Sequence, residues 1–292
     1  MNETDFSAMF EMDAENFIEQ SSESVMYKVS PKNGKNGVYS ALVRFIPWYK
    51  NPKESLVDKW EAWLENPLTK KGMTLDCPSS IRQPSELQDM YWKLKKSNSP
   101  QLQDKAKFFS RKRKFYAIVQ IVKDENNPSL EGKLKIWKFG VKIHDKIQAE
   151  LKPEFGTPHV PFDPFSGKLF HIKCKEVAGY ANYDESKFLD QPTGVLVDGQ
   201  MLRAGQEAQL VEYLKENSPN LDDFKFRPWT PEQKQHFDEM VSVVVPNSEK
   251  ASNLRAPVTA DETKQDEKPE ESPTQTEDPG KTPGMNFDFD DL

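Results

Sequence analysis

The stretch covering residues 111–139, RKRKFYAIVQIVKDENNPSLEGKLKIWKF, limits the possible folds of this chain more than any other. An apolar run over 115–122 is followed by a polar segment over 124–132. That segment contains Asn127-Pro128 and ends in glycine, and 133–139 then repeats with a period of two. This order predicts a β-hairpin. Alternation turns Leu134 and Ile136 to one face, toward a core, and Lys133, Lys135, Trp137 and Phe139 to the other. Arg111, Lys112, Arg113 and Lys114 lead into the first strand. Cations interleaved with rings suit a single-stranded nucleic acid, because cations track phosphates and rings stack on unpaired bases. The same pattern also fits two rings under a covering helix with the lysines at a wet edge.

Around the hairpin, Asn33 to Gly37 reads as a turn, and VYSALVRFI over 38–46 as a strand closed by Pro47. Arg44 is the odd member of that apolar strand, either an edge cation or a phosphate contact. Leu56, Trp60, Trp63 and Leu64 have helical spacing and are expected to pack on the sheet. QDMYWKLKK over 88–96 again sets aromatics among lysines, although an amphipathic helix facing a core explains it equally well. Ile143, Ile147 and Leu151 form a helical stripe. KLFHIKCKEV over 168–177 alternates as a strand, with Tyr180 and Tyr183 beyond it. Two helices close the body, one over about 205–215 and one opened by Thr230-Pro231-Glu232, with Thr at the N-cap and Pro at N1.

The formal charge of −7 argues against a polyanion partner until its distribution is read. Residues 1–24 hold seven acids and no Lys or Arg, while 261–292 hold eleven acids against Lys264, Lys268 and Lys281. Removing the −7 of the first segment and the −8 of the last from the whole-chain −7 leaves +8 on residues 25–260. A basic body between acidic arms points to polyanion binding by the body, and to partner binding or self-inhibition by the arms. Hydrophobic content of 36% with 22 prolines predicts disordered segments beside a real core. No run of 18 apolar residues suggests a membrane span, and MNETDFSAMF shows no secretory signal. The organisation expected is an acidic N-terminal arm over 1–30, a binding core over 31–245 and a disordered acidic tail over 246–292.

Nucleotide-triphosphate, dinucleotide and zincin motifs are missing. Zinc needs about four N or S ligands with close pairs. Cys77 and Cys174 are far apart and the four histidines are dispersed, so no zinc and no other cofactor is expected. Glu131-Gly132-Lys133 and Glu150-Leu151-Lys152 match the E-x-K element of metal-dependent nucleases, a spacing that arises easily in a chain with 30% charged residues.

The ordered series NGVYSALVRFIP, KRKFYAIVQIVKD, EGKLKIWKFGVKIHDKI, AGYANYDESKF and a tail ending DDL resembles the T4-type bacteriophage single-stranded-DNA-binding proteins. The resemblance spans about residues 33–190 plus the tail. It implies a mainly β, α+β fold with an elaborated OB-fold core and no enzymatic activity. It implies a protein that coats transient single strands in phage replication, recombination and repair, in the cytoplasm of the infected host. Motif by motif it implicates Arg111, Lys112, Phe115, Tyr116, Trp137, Lys138, Tyr180 and Tyr183 in a basic, aromatic-lined cleft. Arg44, Arg113, Lys114, Lys133, Lys135 and Phe139 join them on the reading of the residues above. The tail residues Phe287, Asp288, Phe289, Asp290, Asp291 and Leu292 would engage replication proteins such as a helicase loader, polymerase or primase-helicase. The best-known members carry a zinc subdomain of one His and three Cys, of which only Cys77-Pro78 has a counterpart here. They also begin with a basic arm that drives self-association along DNA, whereas this arm is acidic. The alternatives to a coat are a metal-dependent single-strand nuclease using Glu131 or Glu150, and an RNA-binding or adaptor protein.

Overall fold

The hairpin forms in the computed structural model of the protein, which describes residues 25–245, and the remaining strands attach to it. In chain order the strands are β1 (Met26–Tyr27), β2 (Val38–Ile46), β3 (Leu56–Glu65), β4 (Gly72–Asp76), β5 (Lys112–Asp124), β6 (Leu134–Phe139), β7 (Lys168–Val177), β8 (Tyr180–Asn182), β9 (Lys187–Pro192), β10 (Leu196–Val197) and β11 (Gln200–Met201). The helices are α1 (Glu86–Lys95), α2 (Pro100–Lys105), α3 (Val141–Leu151), α4 (Glu207–Asn217) and α5 (Pro231–Val244). Nine of the described strands form one sheet in the order β1-β6-β5-β2-β7-β8, with β3 joined to β4 and β5, and β9 to β7. The fold is α+β. The acidic segments 1–24 and 246–292 lie outside the described residues, and with them the expected tail contacts Phe287 to Leu292.

β5 is long enough to serve two neighbours on one side. Its first half pairs with β3, Leu56 opposite Ala117 and Glu61 opposite Lys112, and its second half with β2, Ile46 opposite Ile118. The sheet is buried on both faces around it. On one face Phe115, Ala117, Val119 and Ile121 meet Tyr39, Val43 and Phe45 of β2, Phe170 and Ile172 of β7, and Ile143 and Ile147 of α3. On the other, Tyr116 and Ile118 meet Leu134 and Ile136 under Val195, Leu202, Leu210 and Leu214. A third cluster joins Leu64 and Leu75 of the β3–β4 hairpin to Leu87, Leu94 and Phe109, and to Phe237, Met240 and Val244 of α5.

Two-sided burial corrects the face assigned to the return strand. Leu134 and Ile136 do face a core. Trp137, at 1% exposure, and Phe139 are buried in the other one, within 6.1 Å of the Phe45 ring. Arg44 is corrected as well. Its guanidinium is fully buried and donates to the carbonyls of Phe45 (2.8 Å), Pro161 (2.5 Å), Thr193 (2.9 Å) and Asp163, stitching β2 to two loops. Burial pushes its pKa down to about 10, opposed by the Asp163 carboxylate, so it remains a cation at neutral pH. A Cβ on Gly167 would collide with this guanidinium at 1.9 Å.

The helix expected over 56–64 is a strand. Leu56, Trp60 and Leu64 are four apart, and four is a whole number of strand periods as well as about one helical turn. They share a face in either structure. Trp63 separates the two, since as a strand residue it points away from the cluster and is 60% exposed. Its ring lies where a Cβ on Gly72 would be. At the sheet edge, β1 pairs parallel with β6. The hydroxyls of Tyr27 and Tyr39 converge on the buried Asp124 carboxylate at 2.8 and 2.5 Å. The other Asp124 oxygen accepts the backbone N–H groups of Asn126 and Asn127.

Candidate nucleic-acid interface

Alternation along β5 splits the basic cluster between two faces. Lys112, Lys114 and Tyr116 lie on one. In register beside them are Glu61, Lys59 and Val57 of β3, and Lys138 of β6 stands opposite Tyr116. Four lysines therefore surround one tyrosine and one glutamate. Lys59 Nζ lies 5.1 Å from the Tyr116 ring centroid and Lys138 Nζ 5.5 Å, a cation–π arrangement on both sides of the ring. The Tyr116 hydroxyl donates to Glu61 Oε2 at 2.6 Å, and Lys138 forms an ion pair with the other Glu61 oxygen. Lys59 is held by Asp76 at 3.0 Å. Phe224 packs on Tyr116 at 5.4 Å, so the segment after α4 walls the far side. Burial, and then the adjacent Glu61 carboxylate, drive the Tyr116 hydroxyl pKa well up. Lys114 is shifted down, first by burial and then by Lys138 and Lys112, against an upward pull from Glu61.

Arg111 and Arg113 occupy the opposite face. Arg111 stacks on Trp60 at 4.2 Å and donates to Ser79 Oγ. Arg113 grips Asp58 with two hydrogen bonds, 2.9 and 2.6 Å, and lies over Phe115 at 5.1 Å. Phe115 is buried and stacks on His144 of α3, with centroids 4.1 Å apart and planes 8° from parallel.

The other expected contact residues are scattered. Lys133 is exposed and Lys135 half-buried, toward the start of β6, while Lys138 lies toward its end. Tyr180, the first residue of β8, is 76% exposed. Tyr183 is half-buried against the first core cluster, its pKa raised by burial and by the Cys174 thiol. The residues after it are tied to lysines. Asp184 pairs with Lys142 at 2.6 Å, and Glu185 with Lys173 at 2.5 Å and with Lys175. Hydrogen bonds from those two lysines pull the Glu185 pKa down to about 2. α3 therefore links the two regions, packing His144 on Phe115 and pairing Lys142 with Asp184.

In sum, Lys112, Lys114 and Lys138 come together on one face with the nearly buried Tyr116. Arg44, Phe115, Trp137 and Phe139 are core residues instead, because both faces of the sheet are covered. Lys59 and Glu61 belong to the cluster and were missed. Their signal was the alternation Val57, Lys59, Glu61, hidden by the helical reading of that segment.

The nuclease alternative finds its residues apart and engaged. Glu131 accepts the Asp124 backbone N–H at 2.9 Å, and Glu150 pairs with Lys168 at 2.8 Å. Cys77 Sγ lies among the hydroxyls of Ser79 (3.0 Å) and Ser85 (3.1 Å). Among the described residues no three His, Cys, Asp or Glu side chains are grouped to hold a metal ion, and no helix is long and apolar enough to cross a membrane.

The model of a family described as gp32 DNA binding protein like matches residues 32–224. The single-stranded DNA-binding proteins of Enterobacteria phages T2 and T4 are each 30% identical over 231 residues, which is 74% of this chain and 62% of the relative. The chain thus spans less than two thirds of the length of these relatives. The match covers β2 through the wall segment that ends at Phe224, and with it the whole lysine face, so the chain belongs to the gp32-like DNA-binding protein family.

Proposed function

We propose that this protein binds single-stranded DNA without chemically altering it, coating transient single strands during phage replication, recombination and repair in the infected cell. The observation that carries this reading is the convergence of Lys59, Lys112, Lys114 and Lys138 around Tyr116 on one face of β3, β5 and β6. Family membership supports it. The core reads as an elaborated OB-type barrel, a class that presents strand faces to single-stranded nucleic acid. Tyr180, largely exposed, is a candidate to stack on a base, as is Tyr183 beside it. The acidic segment 261–292 recruits other replication proteins through Phe287 and Phe289, and copies associate along DNA. No zinc is required, since the third apolar cluster packs the β3–β4 region around Cys77; metal analysis of the purified chain is expected to find none.

Titration of a labelled oligo(dT) at several salt concentrations, with and without Mg²⁺, tests the reading. Each phosphate neutralised on a single strand contributes about −0.7 to the slope of log K against log salt, so contacts from Lys112 and Lys114, with Lys59 and Lys138 held by carboxylates, predict a slope of about −1.4. A flat salt response, or degradation of the oligonucleotide with Mg²⁺, overturns it.

A further inference from the structure

A polyanion-binding face gains nothing from acidic side chains, yet two sit in the floor of this one. Glu61 lies on β3 directly opposite Lys112 and is only 6% exposed. Its two oxygens are taken by the Tyr116 hydroxyl and by Lys138. Asp76, opposite Glu61 across the β3–β4 ladder, holds Lys59 and accepts the backbone N–H of Arg227 at 3.0 Å. Two of the four lysines are thus engaged by internal carboxylates. Among the described residues, Lys112 and Lys114 next to them make no such pair.

We propose that Glu61, with Asp76 at its side, is a built-in counter-anion that sets how tightly and how reversibly this face holds single-stranded DNA. The proposal rests on the DNA-binding reading and names the residues that limit its affinity. In the free protein the two carboxylates offset the repulsion among four neighbouring ammonium groups. When a phosphate arrives at Lys112, Lys114 and Lys138, Glu61 cannot withdraw, because Tyr116 and the strand register hold it in place. The phosphate meets a negative charge directly beneath the cations, and Lys138 has to be shared. Glu61 and Asp76 therefore favour the free state and oppose the bound one.

Opposite signs on stability and affinity follow, and a carboxylate that served only to satisfy the Tyr116 hydroxyl would not produce them. The experiment compares the full-length chain with its Glu61→Gln variant, measuring thermal melting and oligo(dT) binding across a salt series. Glutamine retains an oxygen to accept the Tyr116 hydroxyl. The variant is expected to melt at a lower temperature yet bind roughly three- to tenfold more tightly at low salt, the scale of one unit charge across a partly wet gap. Its salt slope should steepen by about 0.7, since Lys138 becomes free to neutralise a phosphate. Should Glu61→Gln not fold, Asp76→Asn releases Lys59 by the same logic and must tighten binding. A wild-type chain that binds oligo(dT), with a folded variant that binds equally or more weakly, overturns the counter-anion and leaves the DNA-binding reading standing. A wild-type chain that does not bind overturns both.

Discussion

Truncating Trp137 to alanine is expected to cost about 3–5 kcal/mol of stability, because the ring fills a core and the cavity it leaves collapses only in part. Its neighbours are Phe139 at 5.0 Å, Phe170 at 5.9 Å and Phe45 at 6.1 Å. Urea unfolding measures the loss, and the fraction that still folds should keep its affinity for oligo(dT). A folded Trp137→Ala protein with weakened binding would return this ring to the interface. A second expectation concerns alkaline pH. Burial first, and then the bond to Asp124, push the Tyr39 pKa up to about 12, while its bond with Tyr27 pulls the other way. Tyr27 and Tyr116 are also raised, both chiefly by burial. A folded pKa above the unfolded value of about 10 stabilises the fold fully below pH 10, and that contribution is lost as pH rises through about 12. Phenolate absorbance and loss of circular dichroism should therefore appear together in that window. Ionisation of these tyrosines with the circular dichroism intact would contradict the buried hydroxyl network.

At the scale of elements, α5 depends on its first residues. Thr230 accepts the Gln233 backbone N–H, and Gln233 returns a bond to the Thr230 N–H, a capping box ahead of Pro231. Thr230→Ala is expected to cost about 1 kcal/mol, measurable by urea unfolding, because α5 supplies Phe237, Met240 and Val244 to the cluster under the β3–β4 hairpin. No change would mean that α5 is held by packing alone. This cap was legible in the sequence, as were β2, the hairpin, α3 and β7, since each carries a local signal: a Thr-Pro-Glu start, a period of two, or a stripe four apart. β3 was not legible, because its apolar positions satisfy both periods, and its strand character comes from pairing with Lys112 to Ala117 of β5.

For the whole molecule, the charge pattern leads to a test by truncation. Removing residues 261–292 takes away eleven acids and three lysines. If that segment competes with DNA for the lysine face, its removal tightens oligo(dT) binding, most clearly at low salt, where screening over about 10 Å at 0.1 M no longer damps the attraction. Unchanged low-salt affinity would end the competition model and leave the coat function in place. Phe287→Ala with Phe289→Ala separates recruitment from competition, since it leaves the acids in place and should abolish partner binding alone.

By itself the amino-acid sequence determined the basic body between acidic arms, the hairpin, the α+β class and the family, because these depend on composition, short-range periodicity and ordered motifs. Only the tertiary structure decided which rings and cations meet solvent. Period-two alternation says that Trp137 and Lys138 face opposite ways, yet not whether either face is covered. Covering is the work of distant residues: Phe45 and Phe170 pack on Trp137, while Lys138 finds Glu61 from a strand more than seventy positions earlier. Arg44 was misplaced for the same reason, since the four carbonyls that hold it include three from loops more than a hundred residues away.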